Sequence, residues 1–194
     1  MAQPMLVLAS ASRYRREQLA RLGLSVFCDA PDIDETRLPG EAAPAMASRL
    51  ARGKAHAVAG RHPGSIIIAA DQVAARGQDI LGKPGSADGQ RQQLLASSGQ
   101  SLCFHSALAV LDTRSGLLGE HIDRTQCRMR NLATAEIERY VAHEPATDCA
   151  GGFKVEGLGI QLFERIDSED PSALIGLPLI ALGRFLRAAG LALP

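Results

Sequence analysis

Residues 65–71 read SIIIAAD, five consecutive apolar side chains closed by a carboxylate. A strand with one wet face alternates apolar and polar residues, whereas a strand covered on both faces reads as an unbroken apolar run. The segment is therefore expected to be an interior strand. Asp71 then stands at the mouth of that strand, where a carboxylate points to a site more than to a surface charge. The competing reading is a strand-end turn or cap.

The flanking sequence supplies the layers such a strand needs. MLVLAS (5–10) and residues 24–28 read as strands, and residues 13–22 as a helix stopped by Gly23. Residues 42–59, 86–97, 134–142 and 178–189 also carry helical patterns, the first ending at Gly60. SLCFHSALAVLD and the stretch from Leu117 to Met129 read as strands joined through DTRSG, a long antiparallel hairpin. RGQDILGKPG is turn-rich, CAGGFKVEGLGI is glycine-rich, and GIQLFERI reads as a further strand. The mixture predicts an α/β fold with a mixed sheet. At 194 residues, the chain fits one domain or a domain with two lobes.

Composition narrows the function classes. Lys plus Arg and Asp plus Glu are equal at 21 each, so nothing global draws the chain to DNA, RNA or an anionic membrane. With no Trp, two Tyr and five Phe, a stacking platform for single strands is disfavoured. Cys28, Cys103, Cys127 and Cys149 make no CxxC pair, which argues against a zinc ribbon and for buried, reduced thiols in a cytoplasmic setting. The N-terminus lacks the features of a signal peptide, and ALIGLPLIALGRFL is too short and too interrupted to span a bilayer. The five histidines show no ligand spacing.

Arg13, Arg15 and Arg16 crowd the start of the first helix, where the backbone already carries partial positive charge. A strand entering a helix through Ser10-Ala11-Ser12 offers free N–H groups and two hydroxyls, a good phosphate cradle. Arg15 occupies the position where a capping box from Ser12 would need Glu or Gln, so the hydroxyls are expected to stay available. Arginine forks suit phosphate, and a bound phosphate would resolve the charge conflict. The alternative is a solvated basic helix end.

Four more features bear on this choice. DAPDIDE brings Asp29, Asp32, Asp34 and Glu35 into one loop, and magnesium is commonly held by one or two carboxylates with waters and substrate phosphates. Lys54 shares a helical face with Met46, Leu50 and Val58 and leans toward the core, with snorkelling as the alternative. Lys83 sits in an extended GKP segment. GGFKVEG places Lys154 and Glu156 among glycines that permit close backbone approach to a ligand. A surface loop, a turn lysine and a flexible loop are the plain readings of these features.

Taken together, these residues resemble the Maf family of nucleoside triphosphate pyrophosphatases. LASASRYRREQL is similar to that family's LASxSxxRRxLL opening. PDIDE, RLARGKA, AADQV, GKP, AGGFKVEGLG, LFERI and IGLPL follow in the family's order, from Leu6 to about Leu186. DQV and FKVEG resemble the branch acting on 7-methyl-GTP, whereas the dTTP/UTP branch carries DT and a YGIQG-like loop. Tyr14 stands where tryptophan is common, and Arg13 departs from a usual proline.

The resemblance implies one domain over residues 1–194, two-lobed, with an elongated mixed sheet, flanking helices and a central nucleotide cleft. It implies a divalent cation, Mg²⁺ or Mn²⁺, held by Glu35 and Asp71. Asp71 would act as proton acceptor, with Glu35, Lys54 and Lys83 in the catalytic set. Ser10, Ser12, Arg15 and Arg16 would hold the triphosphate. Tyr14, Gln72 and Glu156 would set base choice, with Lys154 near the same loop. The expected reaction is water attack on the α-phosphorus, releasing diphosphate. The partners implied are a small nucleotide, no nucleic acid and no membrane, with a homodimer compatible. A dTTP/UTP or broader pyrophosphatase, and a nucleotide-binding regulator of septum formation without turnover, stand as alternatives.

Overall fold

The computed structural model describes residues 3–194. Seven strands form one mixed sheet: β1 (Leu6–Leu8), β2 (Phe27–Cys28), β3 (Ile66–Arg76), β4 (Asp79–Leu81), β5 (Ser101–Asp112), β6 (Leu117–Met129) and β7 (Phe163–Asp167). Their spatial order is β2-β1-β3-β5-β6-β7, with β4 also paired to β3. Five helices accompany them: α1 (Arg13–Arg21), α2 (Ala43–Ala59), α3 (Ala87–Ser97), α4 (Thr134–His143) and α5 (Leu179–Ala188). The α/β expectation holds, and β1 runs parallel to both β2 and β3.

The chain divides into two compact units. The first comprises Met1–Gln72, Ser106–Asp123 and Asp170–Pro194, and the second Val73–His105 and Arg124–Glu169. In the first unit, alternation along the strands separates two apolar layers. Leu6, Leu8, Ile66, Ile68, Ala70, Leu108 and Val110 face Leu19 of α1 and Ala181, Leu182 and Leu186 of α5. Val7, Ile67 and Ala69 are equally buried on the opposite face, the side from which Lys54 of α2 reaches Asp71. This two-sided cover is why the run at 66–70 has no polar residue. It also sends Asp71 and Gln72 to opposite faces of β3.

In the second unit α3 packs on α4. Phe153 makes edge contacts with Phe104 and Phe163, with centroids 5.5 and 4.7 Å apart. Gly151, at φ +86°, lets the chain pass these rings, since a Cβ there would meet Phe153 at 3.0 Å.

Several expectations need correction. Residues 24–28 give a strand only at Phe27–Cys28. β3 does not stop at Asp71 but runs on to Arg76 and turns back through Gly77-Gln78 into β4, which the turn-rich composition of RGQDILGKPG concealed. Gly77, at φ +60°, supplies the positive dihedral that a two-residue hairpin loop requires. The cysteines are free, yet only Cys127 is buried, and burial pushes its thiol up to about 12. Among the described residues no helix is long and apolar enough to cross a membrane.

Candidate functional site

The turn between β1 and α1 uses its hydroxyls locally. Ser12 is the N-cap, its Oγ accepting from Arg15 N at 3.4 Å. Ser10 Oγ accepts from Ser12 N (3.1 Å) and from Arg15 Nη1 (3.3 Å). The missing capping box therefore did not leave both hydroxyls idle: an N-cap needs only its own side chain and an N–H in the first turn. Arg15 Nε donates to Gly176 O at 3.1 Å, so its described partners are neutral. Burial lowers the Arg15 guanidinium from its ordinary value, and the charges of Asp71 and Glu35 oppose that shift. A partly covered cation bonded to neutral groups is a natural receptor for an anion. Arg16 is exposed. Arg13 lies over the Tyr14 ring, 4.8 Å from its centroid, and donates to Tyr14 OH at 2.7 Å.

Lys54 follows from the pattern of α2. Ala47, Leu50, Ala51, Ala55 and Val58 form the buried stripe, and Lys54 lies within it at 6% exposure. Its Nζ donates to Asp71 Oδ1 at 2.6 Å and ion-pairs with Glu35 Oε1 at 2.7 Å. Asp71 is itself 8% exposed, whereas the Glu35 side chain is 58% exposed. The ammonium thus gathers two carboxylates from a strand and a loop. This is charge pairing in a poorly solvated place, where each member depends on the others.

The Glu35 loop is anchored from α2. Arg49 grips both oxygens of Glu41 (2.6 and 2.8 Å) and donates to Thr36 O at 3.1 Å, next to Glu35. Hydrogen bonding from Arg49, ahead of the other contributions, holds the Glu41 carboxyl down at about 2. A depressed acid contributes stability that is complete above its unfolded value, near pH 4.3, and lost as pH falls through its folded value. Melting curves between about pH 5 and pH 2 are expected to fall more steeply for the native chain than for Arg49→Gln. Parallel curves would remove this pair from the acid response.

The fit of Glu35 and Asp71 to a divalent cation turns on their donor set. Among the described residues no group of three or more His, Cys, Asp and Glu gathers as a metal cage. Two hard oxygen donors already converge on one cationic centre, however. That set fits Mg²⁺ or Mn²⁺, whose remaining positions waters and substrate phosphates usually fill.

A third element was not legible as functional. The turn at 170–177 presents backbone carbonyls to three side chains. Gly176 O takes Arg15, Ser172 O takes Gln18 Nε2 (2.9 Å), and Ala173 O and Leu174 O take Gln72 Nε2 (3.0 and 3.1 Å). Asp170, 4% exposed, accepts from Ser172 N (2.9 Å) and Ile180 N (2.8 Å). It thereby fixes the turn and the start of α5, whose N-cap position is Pro178 and provides no side-chain cap.

The remaining expected residues lie in the second unit. Lys83 is exposed after β4. In the FKVEGLG loop, Lys154 Nζ donates to Pro145 O, a use of the ammonium that the expectation of a ligand-facing lysine did not include. Glu144 organises the loop, accepting from Leu158 N (3.2 Å), Gly159 N (3.0 Å) and Tyr140 OH (2.9 Å). A Cβ on Gly157 would stand 2.0 Å from Glu144 Oε1, which explains the glycine. Glu156 is exposed. The structure therefore joins Ser10, Ser12, Arg15, Glu35, Lys54 and Asp71 through contacts or charge, with Tyr14 and Arg16 on the same helix. Gln72 turns to the other face of β3.

A family model described as Maf-like protein matches residues 5–189. A 7-methyl-GTP pyrophosphatase from Xanthomonas oryzae pv. oryzae (strain MAFF 311018) is 51% identical over 191 residues, covering 98% of this chain and 100% of the relative. A protein of the same name from Bordetella parapertussis is 51% identical, covering 97% and 94% of the two chains. Another, from Cupriavidus metallidurans, is 48% identical with the same coverages, 97% and 94%. Among solved structures, one of a HAM1 protein from Coxiella burnetii has a TM-score of 0.51 at 16% identity, covering 96% of this chain and 100% of that one. The last likeness speaks for the fold alone.

Proposed function

The chain belongs to the Maf family, and on that premise we propose that it is a nucleoside triphosphate pyrophosphatase converting 7-methyl-GTP to 7-methyl-GMP and diphosphate. The observation that carries this reading is the cluster in the first unit. The Arg15 guanidinium, with neutral partners, feels the charges of Asp71 and Glu35, which share Lys54. A pure anion receptor gains nothing by placing acids near its arginine; a hydrolase needs both.

In this reading Arg15 and Arg16, with Ser10, Ser12 and the N–H groups of the β1–α1 turn, take the triphosphate. Asp71 accepts the proton of the water that attacks the α-phosphorus. Lys54 holds that carboxylate in place, and Lys83 offsets charge on the leaving diphosphate. Glu35 and Asp71 would hold the divalent cation, which when bound neutralises phosphate charge and acidifies water. Tyr14 offers an aromatic face, and the Arg13 guanidinium already drawn to it supports the idea that this ring favours cations. The 7-methylguanine ring is cationic, so Tyr14 and the exposed acid Glu156 both favour it over neutral guanine. A cytoplasmic, membrane-free setting and a homodimer belong to the same proposal.

Purified protein is expected to release diphosphate from 7-methyl-GTP with Mg²⁺ or Mn²⁺ well ahead of GTP, dTTP, UTP, CTP and ATP. Chelation should abolish turnover. Diphosphate mainly from dTTP or UTP would keep the chemistry and overturn the base assignment. Binding without turnover of any nucleotide would favour the regulator.

A further inference from the structure

Gln72 is half-buried, and its two ends have different surroundings. Its Nε2 meets three oxygens: Ser106 Oγ at 2.9 Å, Ala173 O at 3.0 Å and Leu174 O at 3.1 Å. Two are carbonyls and can only accept. The third is a hydroxyl with a single proton, and that proton is committed, because Ser106 Oγ donates to Ala173 O at 2.8 Å. Toward Gln72, therefore, Ser106 also acts as an acceptor. Three acceptors at one end of a side-chain amide leave no choice of orientation: that end is the NH₂ group.

The opposite end, Oε1, has no hydrogen-bond partner among the described residues and is not among their buried orphan atoms, so it is open to solvent. Gln18 provides the contrast. Its Nε2 is held by carbonyls of the same turn, yet its Oε1 is buried without a partner, as in a side chain used for structure. The turn that orients Gln72 also takes Arg15 on Gly176 O, so one backbone segment supports both side chains. Ser106 is fully buried, so its influence on a ligand must pass through Gln72.

We propose that Ser106 is a positioning residue that, with the carbonyls of Ala173 and Leu174, turns the Gln72 amide so that it presents an acceptor, and that Gln72 thereby reads a hydrogen-bond donor on the guanine edge of the substrate. The inference rests on the nucleotide reading above. Phosphate oxygens only accept, so Oε1 repels the triphosphate and selects the nucleoside. The donors of a guanine edge are N1–H and the 2-amino group, and a hypoxanthine edge has lost the second. A site that hydrogen-bonds a group discriminates against the analogue lacking it, because the site's own polar atom is left unpaired.

The test compares 7-methyl-GTP, 7-methyl-ITP and 2′-deoxy-7-methyl-GTP as substrates of the native chain, Ser106→Ala, Gln72→Leu and Gln72→Glu. Affinities for 7-methyl-GDP and 7-methyl-IDP are measured in parallel by calorimetry. The native chain should prefer the guanine over the hypoxanthine nucleotide by about five- to tenfold, mainly through KM, and treat the deoxy compound as the ribo form. Ser106→Ala removes one of the three acceptors that hold Nε2, leaving the two carbonyls, and should weaken that preference without abolishing it, with unchanged far-UV circular dichroism. Gln72→Leu, which removes the acceptor itself, should shrink it to within about twofold. Gln72→Glu should lose it too, although it still offers an acceptor, because its second oxygen would confront three others.

A preference unchanged in Ser106→Ala, or persisting in Gln72→Leu, overturns the proposal while leaving the pyrophosphatase reading intact. Discrimination against the deoxy compound alone would reassign Oε1 to a sugar hydroxyl and also overturn it. If no nucleotide turns over, the calorimetric preference for 7-methyl-GDP still decides the matter. If none binds either, both readings fall.

Discussion

Asp71→Asn is expected to lower kcat by about 10²–10⁴-fold with KM within a fewfold of the native value. Asparagine keeps the shape of the side chain and an oxygen where Lys54 Nζ now donates at 2.6 Å. It loses the charge and the proton affinity that a general base needs. The fold should survive, since Lys54 retains Glu35 at 2.7 Å and remains a paired cation. The phosphate-holding groups sit on the β1–α1 turn and do not bond to Asp71 directly, so ground-state binding should change little. The signature is then a parallel loss in kcat and kcat/KM, as for an interaction made only in the transition state. Steady-state kinetics on 7-methyl-GTP decides it, with Glu35→Gln as the comparison because that carboxylate is the more exposed. Turnover near the native rate in Asp71→Asn would remove Asp71 from the chemistry. A KM rise without loss of kcat would make it a binding residue.

Much of this centre was legible from residue types at fixed spacing. The run IIIAA fixed the burial of β3 and hence the unusual setting of Asp71, because an interior strand admits no polar residue without a reason. Lys54 showed itself by standing on the apolar stripe of α2. What stayed hidden depends on partners far apart in sequence. The turn at 170–177 acts through backbone carbonyls, which carry no residue signal, and its bonds to Arg15, Gln18 and Gln72 span about a hundred residues or more. Ser106 looks like any small residue in a strand until its hydroxyl is seen between Gln72 and Ala173. Glu144 similarly reads as a helix-end acid until its bonds from Leu158 N, Gly159 N and Tyr140 OH are seen. The β3–β4 hairpin stays hidden in the sequence because a glycine that ends one strand by composition can also turn it into the next. Exposed Cys28 shows that a preference for burial is a statistical tendency that a two-residue edge strand can override.

Lys54→Met should destabilise the chain by about 3–5 kcal/mol, which at this length corresponds to a fall in melting temperature of roughly 6–20 °C. Methionine fills the aliphatic volume, so the loss reports charge more than packing. The damage comes from Asp71, 8% exposed and left as a carboxylate without its cation, while the mostly exposed Glu35 can turn to water. Adding Asp71→Asn to Lys54→Met removes that orphan charge, so the double variant should recover most of the lost stability although it lacks both ionic groups. Recovery would show that the penalty lies in an uncompensated acid; its absence would place the loss in packing around Lys54. The same variant tests the cation site without any turnover. With the ammonium gone, Glu35 and Asp71 are two unneutralised donors, and a divalent ion that binds only the folded form raises stability by mass action. Millimolar Mg²⁺ or Mn²⁺ should therefore raise the melting temperature of Lys54→Met more than that of the native chain. The increment should vanish when Asp71→Asn is added. A Lys54→Met melting curve indifferent to both ions would mean that these carboxylates serve Lys54 and hold no metal, and the hydrolytic role of Asp71 would then have to stand on the ammonium alone.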